Sequence, residues 1–141
     1  MQDYATHRRF HPLYHFVALP LASVAAIWAL WRFAAGPTSD TALLALLALG
    51  LVTGVLGARV QALRVQDRVI RLEMAIRFAR VLPPDLAARA HELKLRQIIA
   101  LRFAGDAELP ELTRKTLAGE FATSRAIKQA IHDWQADYLR A

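Results

Sequence analysis

No cysteine occurs among the 141 residues, so the chain forms no disulfide, offers no thiolate to a metal and has no cysteine nucleophile. The absence says nothing of compartment, because a cytosolic domain needs none. Glycine is sparse: six residues, three of them within 42–58, and none arranged as a phosphate-cradling loop. Ser23, Ser39 and Ser124 lack the glycine flanks of a nucleophile elbow. His91-Glu92 opens like a zinc-protease helix, but position 95, where the second histidine belongs, holds Leu95. No pair of carboxylates stands apart from a surface ladder. These absences predict a protein that is not an enzyme and uses no cofactor.

What is present is apolar length. Residues 13–31 and 42–58 are two almost uninterrupted hydrophobic runs, separated by a break at Gly36-Pro37-Thr38-Ser39-Asp40. As helices they reach ~28 and ~26 Å, close to the ~30 Å hydrocarbon thickness of a bilayer. Neither run carries an ionisable residue at its centre, which argues against an ion or proton path through the pair. The first run exceeds a signal-peptide core, and its candidate cleavage triplets put Arg32 or Phe33 where a small residue is required. The expectation is a two-span hairpin retained intact, leaving about 80 residues to fold in water, too few for a large enclosed pocket and favouring oligomers.

The net charge of +6 follows the same division. Arg8 and Arg9 precede the first run, Arg59, Arg64, Arg68 and Arg71 follow the second, and only Arg32 stands between. Arginine on the flanks and little between them predicts both termini on the cytoplasmic side of a bacterial inner membrane, with the break facing outward. Tyr4, Phe10 and Tyr14 at one end and Trp28 and Trp31 at the other fit the two headgroup layers. Arg59 and Arg64 could also hold anionic headgroups. Pro12 can open the first helix, whereas Pro20 frees the carbonyl of Phe16 and predicts a kink there.

Small residues recur every fourth position: Ala18, Ala22 and Ala26 in the first span, Gly50, Gly54 and Ala58 in the second. Such stripes let helix backbones approach, either within one hairpin or between two copies. Beyond the second span no breaker occurs up to Leu82, predicting one long helix that leaves the membrane and ends before Pro83-Pro84. At 100° per residue, Val60, Leu63, Ile70, Met74, Phe78 and Val81 share one arc, and Val65, Val69, Leu72 and Ile76 lie nearly opposite. A helix apolar on two sides needs two neighbours, which predicts later helices of the same chain on one and a second copy on the other. Asp67 with Arg71 and Glu73 with Arg77 are spaced as i,i+4 pairs.

Short helices are expected next, over residues 85–93, over 95–104 closed by Gly105, and from an Asp106 cap through Pro110. A last helix starts at Thr123-Ser124 and carries Ile127, Ala130, Ile131, Trp134 and Tyr138 on one face. Residues 95–102, 112–119 and 126–139 also look faintly like a helix-turn-helix with Lys128 on the recognition helix, an alternative reading as a membrane-tethered DNA-binding protein. Nucleic acid is the weaker expectation, since topology already explains the charge. A third reading makes His7, His11 and His15, four residues apart, metal ligands or a pH sensor, although Pro12 interrupts their register.

Four blocks together resemble a bacterial family of small two-span membrane proteins catalogued as domain of unknown function 6526. They are Tyr4, His7, Arg9, Pro12, Tyr14, His15 and Phe16; Gln66, Asp67, Arg68, Ile70, Arg71, Leu72 and Glu73; Gln97, residues 100–104, Asp106 and residues 108–110; and Ile127, Lys128, Ile131, Trp134, Asp137 and Arg140. The chain departs from the pattern at Thr6, Met74 and Gly105, where Asn, an acidic residue and Ser are usual. The resemblance implies an inner-membrane protein and carries no activity, cofactor or catalytic residue.

The expected architecture is all-α. Residues 1–12 form a cytoplasmic leader, 13–33 and 41–63 two transmembrane helices around an external loop at 34–40, and 64–141 a small cytoplasmic helical domain entered by the extended second helix. The expected role is structural, docking another membrane protein or a second copy. The residues expected to carry it are Gly50, Gly54 and Ala58 in the second span, Arg68 and Arg71 beyond it, Trp134 and Tyr138 on the last helix, and the leader motif His7, Arg8, Tyr14 and His15.

Overall fold

A computed structural model describes residues 11–136, which are helical throughout their regular structure, with no strand among the described residues. Their contacts divide them into two units, residues 11–64 and 65–136.

In the first unit the chain is helical from Leu13 to Ala35 and again from Ser39. The opening turn, Leu13–Ala18, is a π-helix, followed by α1 at Leu19–Ala35. The π turn is what Pro20 makes of the expected kink. Proline cannot bond the Phe16 carbonyl and its ring crowds it, and the backbone answers by widening the turn, so that Leu19 N–H donates to the Tyr14 carbonyl five residues back. After Pro37, Thr38 caps α2, which runs over Ser39–Val81. The Thr41 N–H donates to Thr38 Oγ1 at 3.2 Å and the Thr38 N–H to Thr41 Oγ1 at 2.9 Å, a reciprocal cap that satisfies two donors of the first turn. As the absence of a breaker predicts, α2 continues unbroken to the double proline.

In the second unit the last part of α2 is covered by short helices. They are α3 at Pro84–Arg89, extended by a 3₁₀ turn at Ala90–Glu92, then α4 at Leu95–Leu101, α5 at Leu109–Leu117 and α6 at Ser124–Gln129. Each start has a local cause. Lys94 N–H donates to Gln97 Oε1 at 2.8 Å at the head of α4, Pro110 sits in the first turn of α5, and Thr123 Oγ1 accepts from Ala126 N–H at the head of α6. Gly119, at φ 78°, terminates α5 in a left-handed residue, with Glu120 N–H bonded back to the Lys115 carbonyl. Ile70, Met74 and Phe78 of α2 form one core with Leu86, Ile98, Leu101, Leu109 and Ile127. The first apolar arc read from the sequence is therefore covered from Ile70 onward, while Val60 and Leu63 stay exposed.

Several boundaries differ from expectation. Asp106 does not cap α5; Glu108 occupies that position, because Asp106 is engaged by Arg77. The helix expected to carry Trp134 stops at Gln129, and the chain beyond it lies extended, where Trp134 bridges Ala104. Arg77 does not pair with Glu73, nor Asp67 with Arg71, among the ion pairs of the described residues.

Candidate interaction surfaces

The first unit hides little. Its buried cluster is Ala26 and Ala29 of α1 against Ala45 and Ala48 of α2, with Val52 packed alongside and Ala22 also buried. Methyl-sized side chains on both helices are what allow that approach. Of the four-residue stripe read in the first span, Ala22 and Ala26 are buried and Ala18 only half-buried; Ala29 joins the cluster, and its partners are Ala45 and Ala48, not glycines. Gly50, Gly54 and Ala58 are exposed, and a Cβ placed on either glycine meets nothing within 4 Å. The stripe lies outside the buried alanine cluster of the two helices. The large side chains, among them Leu21, Ile27, Trp31, Leu46 and Leu47, point outward.

Charge in this unit sits at its polar ends. The Arg59 guanidinium lies 5.6 Å from the centre of the Tyr14 ring, and the Arg32 guanidinium at the same distance from the Trp28 ring. Tyr14 in turn meets His15 edge-on at 4.9 Å. His15 Nδ1 approaches the backbone of His11, 3.1 Å from its N–H and 3.0 Å from its carbonyl oxygen. His7 and Arg8, like Tyr4 and Tyr138, lie outside the described residues, so the three-histidine arrangement is seen only through His11 and His15. Among the described residues no cluster of three or more His, Asp or Glu side chains has the arrangement of a metal site.

In the second unit a polar clamp closes the fold, and Arg77 is its centre. The guanidinium is largely buried and donates through Nε to Asp106 Oδ1 at 2.7 Å, through Nη1 to the Arg102 carbonyl at 3.1 Å and through Nη2 to the Ala104 carbonyl at 2.6 Å. One planar group thereby satisfies the carbonyls left open where α4 ends. On the far side of that turn, Glu108 accepts from the His132 and Asp133 N–H groups at 3.0 and 3.2 Å. Gly105 N–H donates to the Asp133 carbonyl and Gln135 N–H to the Phe103 carbonyl, pinning the extended tail to the same turn. Gly105 allows this approach, since a Cβ there would collide with the Asp133 carboxylate. Nothing in local spacing marks Arg77, because its partners lie 25 to 29 residues away.

Trp134 stacks on Phe103, centroids 4.6 Å apart and planes 12° from parallel. Lys128 Nζ stands 5.2 Å from the same Phe103 ring. The proposed recognition helix thus amounts to the six residues of α6, with its lysine held over an aromatic ring of the unit itself. Arg68 and Arg71 are both exposed on α2. Arg71 edges a groove of about 270 Å³ whose floor is Phe78, Ala87, Ala90 and Ile98, with His91 opposite. On α3 and its 3₁₀ extension Arg89 and Glu92 form a two-point ion pair at 2.9 and 3.0 Å. The hydrogen bond to Arg89, aided by its charge, holds the Glu92 carboxyl below the ordinary carboxylate range, and the same bond to Glu92 raises Arg89.

The elements define an all-helical protein with two helices long and apolar enough to cross a membrane, followed by smaller helices. The whole chain, residues 1–141, matches the family described as "Family of unknown function (DUF6526)" and belongs to it. No curated protein and no solved structure matches the chain.

Proposed function

We propose that this chain is a two-span protein of the bacterial inner membrane, with both ends cytoplasmic, whose role is structural: it docks a second copy or another membrane protein and catalyses no reaction. One observation carries the reading. In the most apolar stretches of the two long helices only 17% and 11% of residues are buried, and the large side chains face outward. The core helix of a water-soluble protein has the opposite pattern, and each such side chain left in water forfeits roughly 1.5–3 kcal/mol. Lipid is the solvent that removes this cost, and a second long helix far from the chain start is not explained by a signal sequence. Orientation rests on the arginines flanking the spans.

The docking role is supported by what the second unit leaves uncovered. Its polar side chains of special geometry, Arg77, Asp106 and Glu108, are engaged in closing the fold, whereas Val65, Val69, Leu72 and Ile76 are exposed along one side of α2. Arg59 and Arg64 stand where anionic headgroups would meet them. The test uses the natural lack of cysteine. Fractionated cells should yield the protein in the membrane pellet, released only by detergent. A single Thr38→Cys should react with an impermeant thiol reagent in intact spheroplasts, and Arg125→Cys only after lysis. Protein that stays soluble without detergent, or the reverse labelling, would overturn the proposal.

A further inference from the structure

The second apolar face of α2 has the spacing of a coiled-coil seam. Val65, Val69, Leu72, Ile76 and Ala79 follow one another at intervals of four, three, four and three, the a/d pattern of a heptad repeat. The four large ones are exposed by 59, 46, 64 and 65%. Counted back along the sequence of α2, the same register continues through Ala62, Ala58, Val55 and Leu51, so a position of the small-residue stripe, Ala58, falls on it. The unit's own helices cover the other side of α2, at Ile70, Met74 and Phe78. The face is therefore free for an occupant that brings its own helix.

Charge identifies the occupant. In this register Arg68 is a g position and Glu73 the e position five residues later, the two that meet across a parallel two-stranded coil. Both are exposed, and neither makes an ion pair among the described residues. A copy of the same helix, parallel and in register, would place Glu73 of each beside Arg68 of the other, twice by symmetry. An antiparallel arrangement brings g against g and e against e, and so sets like charges together. Two copies threaded through one membrane in the same sense are necessarily parallel. We infer that α2 forms a parallel, in-register two-stranded coiled coil with α2 of a second copy, along Val65, Val69, Leu72 and Ile76, with Arg68 and Glu73 pairing between copies. This rests on the membrane-anchored reading above, which fixes the parallel sense.

Oxidative crosslinking of the full-length protein in its native membrane tests the inference. Leu72→Cys, on the seam, should give a covalent homodimer about ten-fold or more in excess of Arg71→Cys, one exposed position away, because pairing raises the effective concentration of facing thiols. Arg68→Glu should cut the Leu72→Cys dimer several-fold, and Arg68→Glu combined with Glu73→Arg should restore it. Far-UV circular dichroism of each variant checks that the helices persist. Equal crosslinking at 71 and 72, no dimer at 72 in helical protein, capture of Leu72→Cys by a different protein alone, or failure of the double charge swap to restore the dimer would overturn the inference. In each of these cases the protein still pellets with the membrane, whereas loss of that association sinks the anchored reading itself.

Discussion

The two units solve the burial problem in opposite ways. In residues 13–64 the small side chains are inside and the large ones outside: Ala22, Ala26, Ala29, Ala45 and Ala48 are buried while leucines, tryptophans and phenylalanines face away. In residues 65–136 Phe78, Leu101, Phe103, Leu109 and Ile127 are inside and most charged side chains outside, the ordinary order for a domain in water, with the largely buried Arg77 the exception that its hydrogen bonds compensate. The polar groups differ in the same way. Ser23 and Thr53 of the first unit turn back to carbonyls of their own helix, at 2.8 Å to Leu19 and 3.0 Å to Leu49, whereas Arg77 reaches across the second unit to hold another turn. One helix, α2, takes part in both, through an Ala45/Ala48 contact in the first unit and an Ile70/Met74/Phe78 contact in the second. Small side chains let helix backbones approach closely, whereas large ones remove more apolar area from water.

The comparison breaks most severely at Arg77. Arg77→Met keeps the apolar stem but leaves the Arg102 and Ala104 carbonyls without their donor and the half-exposed Asp106 carboxylate with Arg80 alone, 3.5 Å away, an expected loss of about 2–4 kcal/mol in the second unit. Trp134 fluorescence in a Trp28→Phe, Trp31→Phe background reports it as a lower denaturation midpoint, because the ring stacks on Phe103 beside the clamp. The first unit should be unaffected. Gly105→Ser comes next, at about 1–3 kcal/mol, since its Cβ meets the Asp133 carboxylate. Pairing it with Asp133→Ala should recover most of the loss, and additivity of the two would show that the contact is not the cause.

What was legible in the sequence follows from the range of the forces involved. The length of α2, its stop at the double proline and the Thr123 cap of α6 depend on neighbours within four residues, and each is found in the structure. Helical period alone also sets Ile70, Met74 and Phe78 on one arc, but it leaves open which of the two apolar arcs the later helices cover. The Arg77 clamp is not legible, since local spacing offers Glu73 four residues away, whereas the turn after α4 presents the Asp106 carboxylate together with the Arg102 and Ala104 carbonyls. Ile127, Ile131 and Trp134 keep a helical period, yet the helix ends at Gln129 and the backbone bonds of Gly105 to Asp133 and of Gln135 to Phe103 hold the following residues against the turn after α4. In the first unit, small residues at fourfold spacing mark candidate seams on both helices, but only pairing in space separates Ala45 and Ala48 from Gly50 and Gly54.

That separation gives a further prediction. Ala26→Leu forces a large side chain into the alanine seam and should destabilise the hairpin by about 1–3 kcal/mol, read by reversible unfolding in mixed micelles. Gly54→Ile, with open space around its Cβ, should leave the hairpin unfolding unchanged. Any effect of Gly54→Ile would then be on association, and a loss equal to that of Ala26→Leu would mean that the seams had been misassigned.

The smallest effect belongs to Arg89 and Glu92, which are fully exposed and therefore screened by water and salt. The folded-state carboxyl of Glu92 titrates below its ordinary range because Arg89 donates to it at 2.9 and 3.0 Å. A depressed acid pKa means that the folded form binds its proton less readily than the unfolded chain does. The contribution to stability is therefore present above the ordinary carboxylate pKa and fades as pH falls through the depressed folded value. Carboxyl-carbon NMR should place the Glu92 midpoint below the ordinary carboxylate range, and Arg89→Gln should move it upward. Raised salt should shrink the depression, and a depression insensitive to both salt and Arg89→Gln would assign it to some other neighbour.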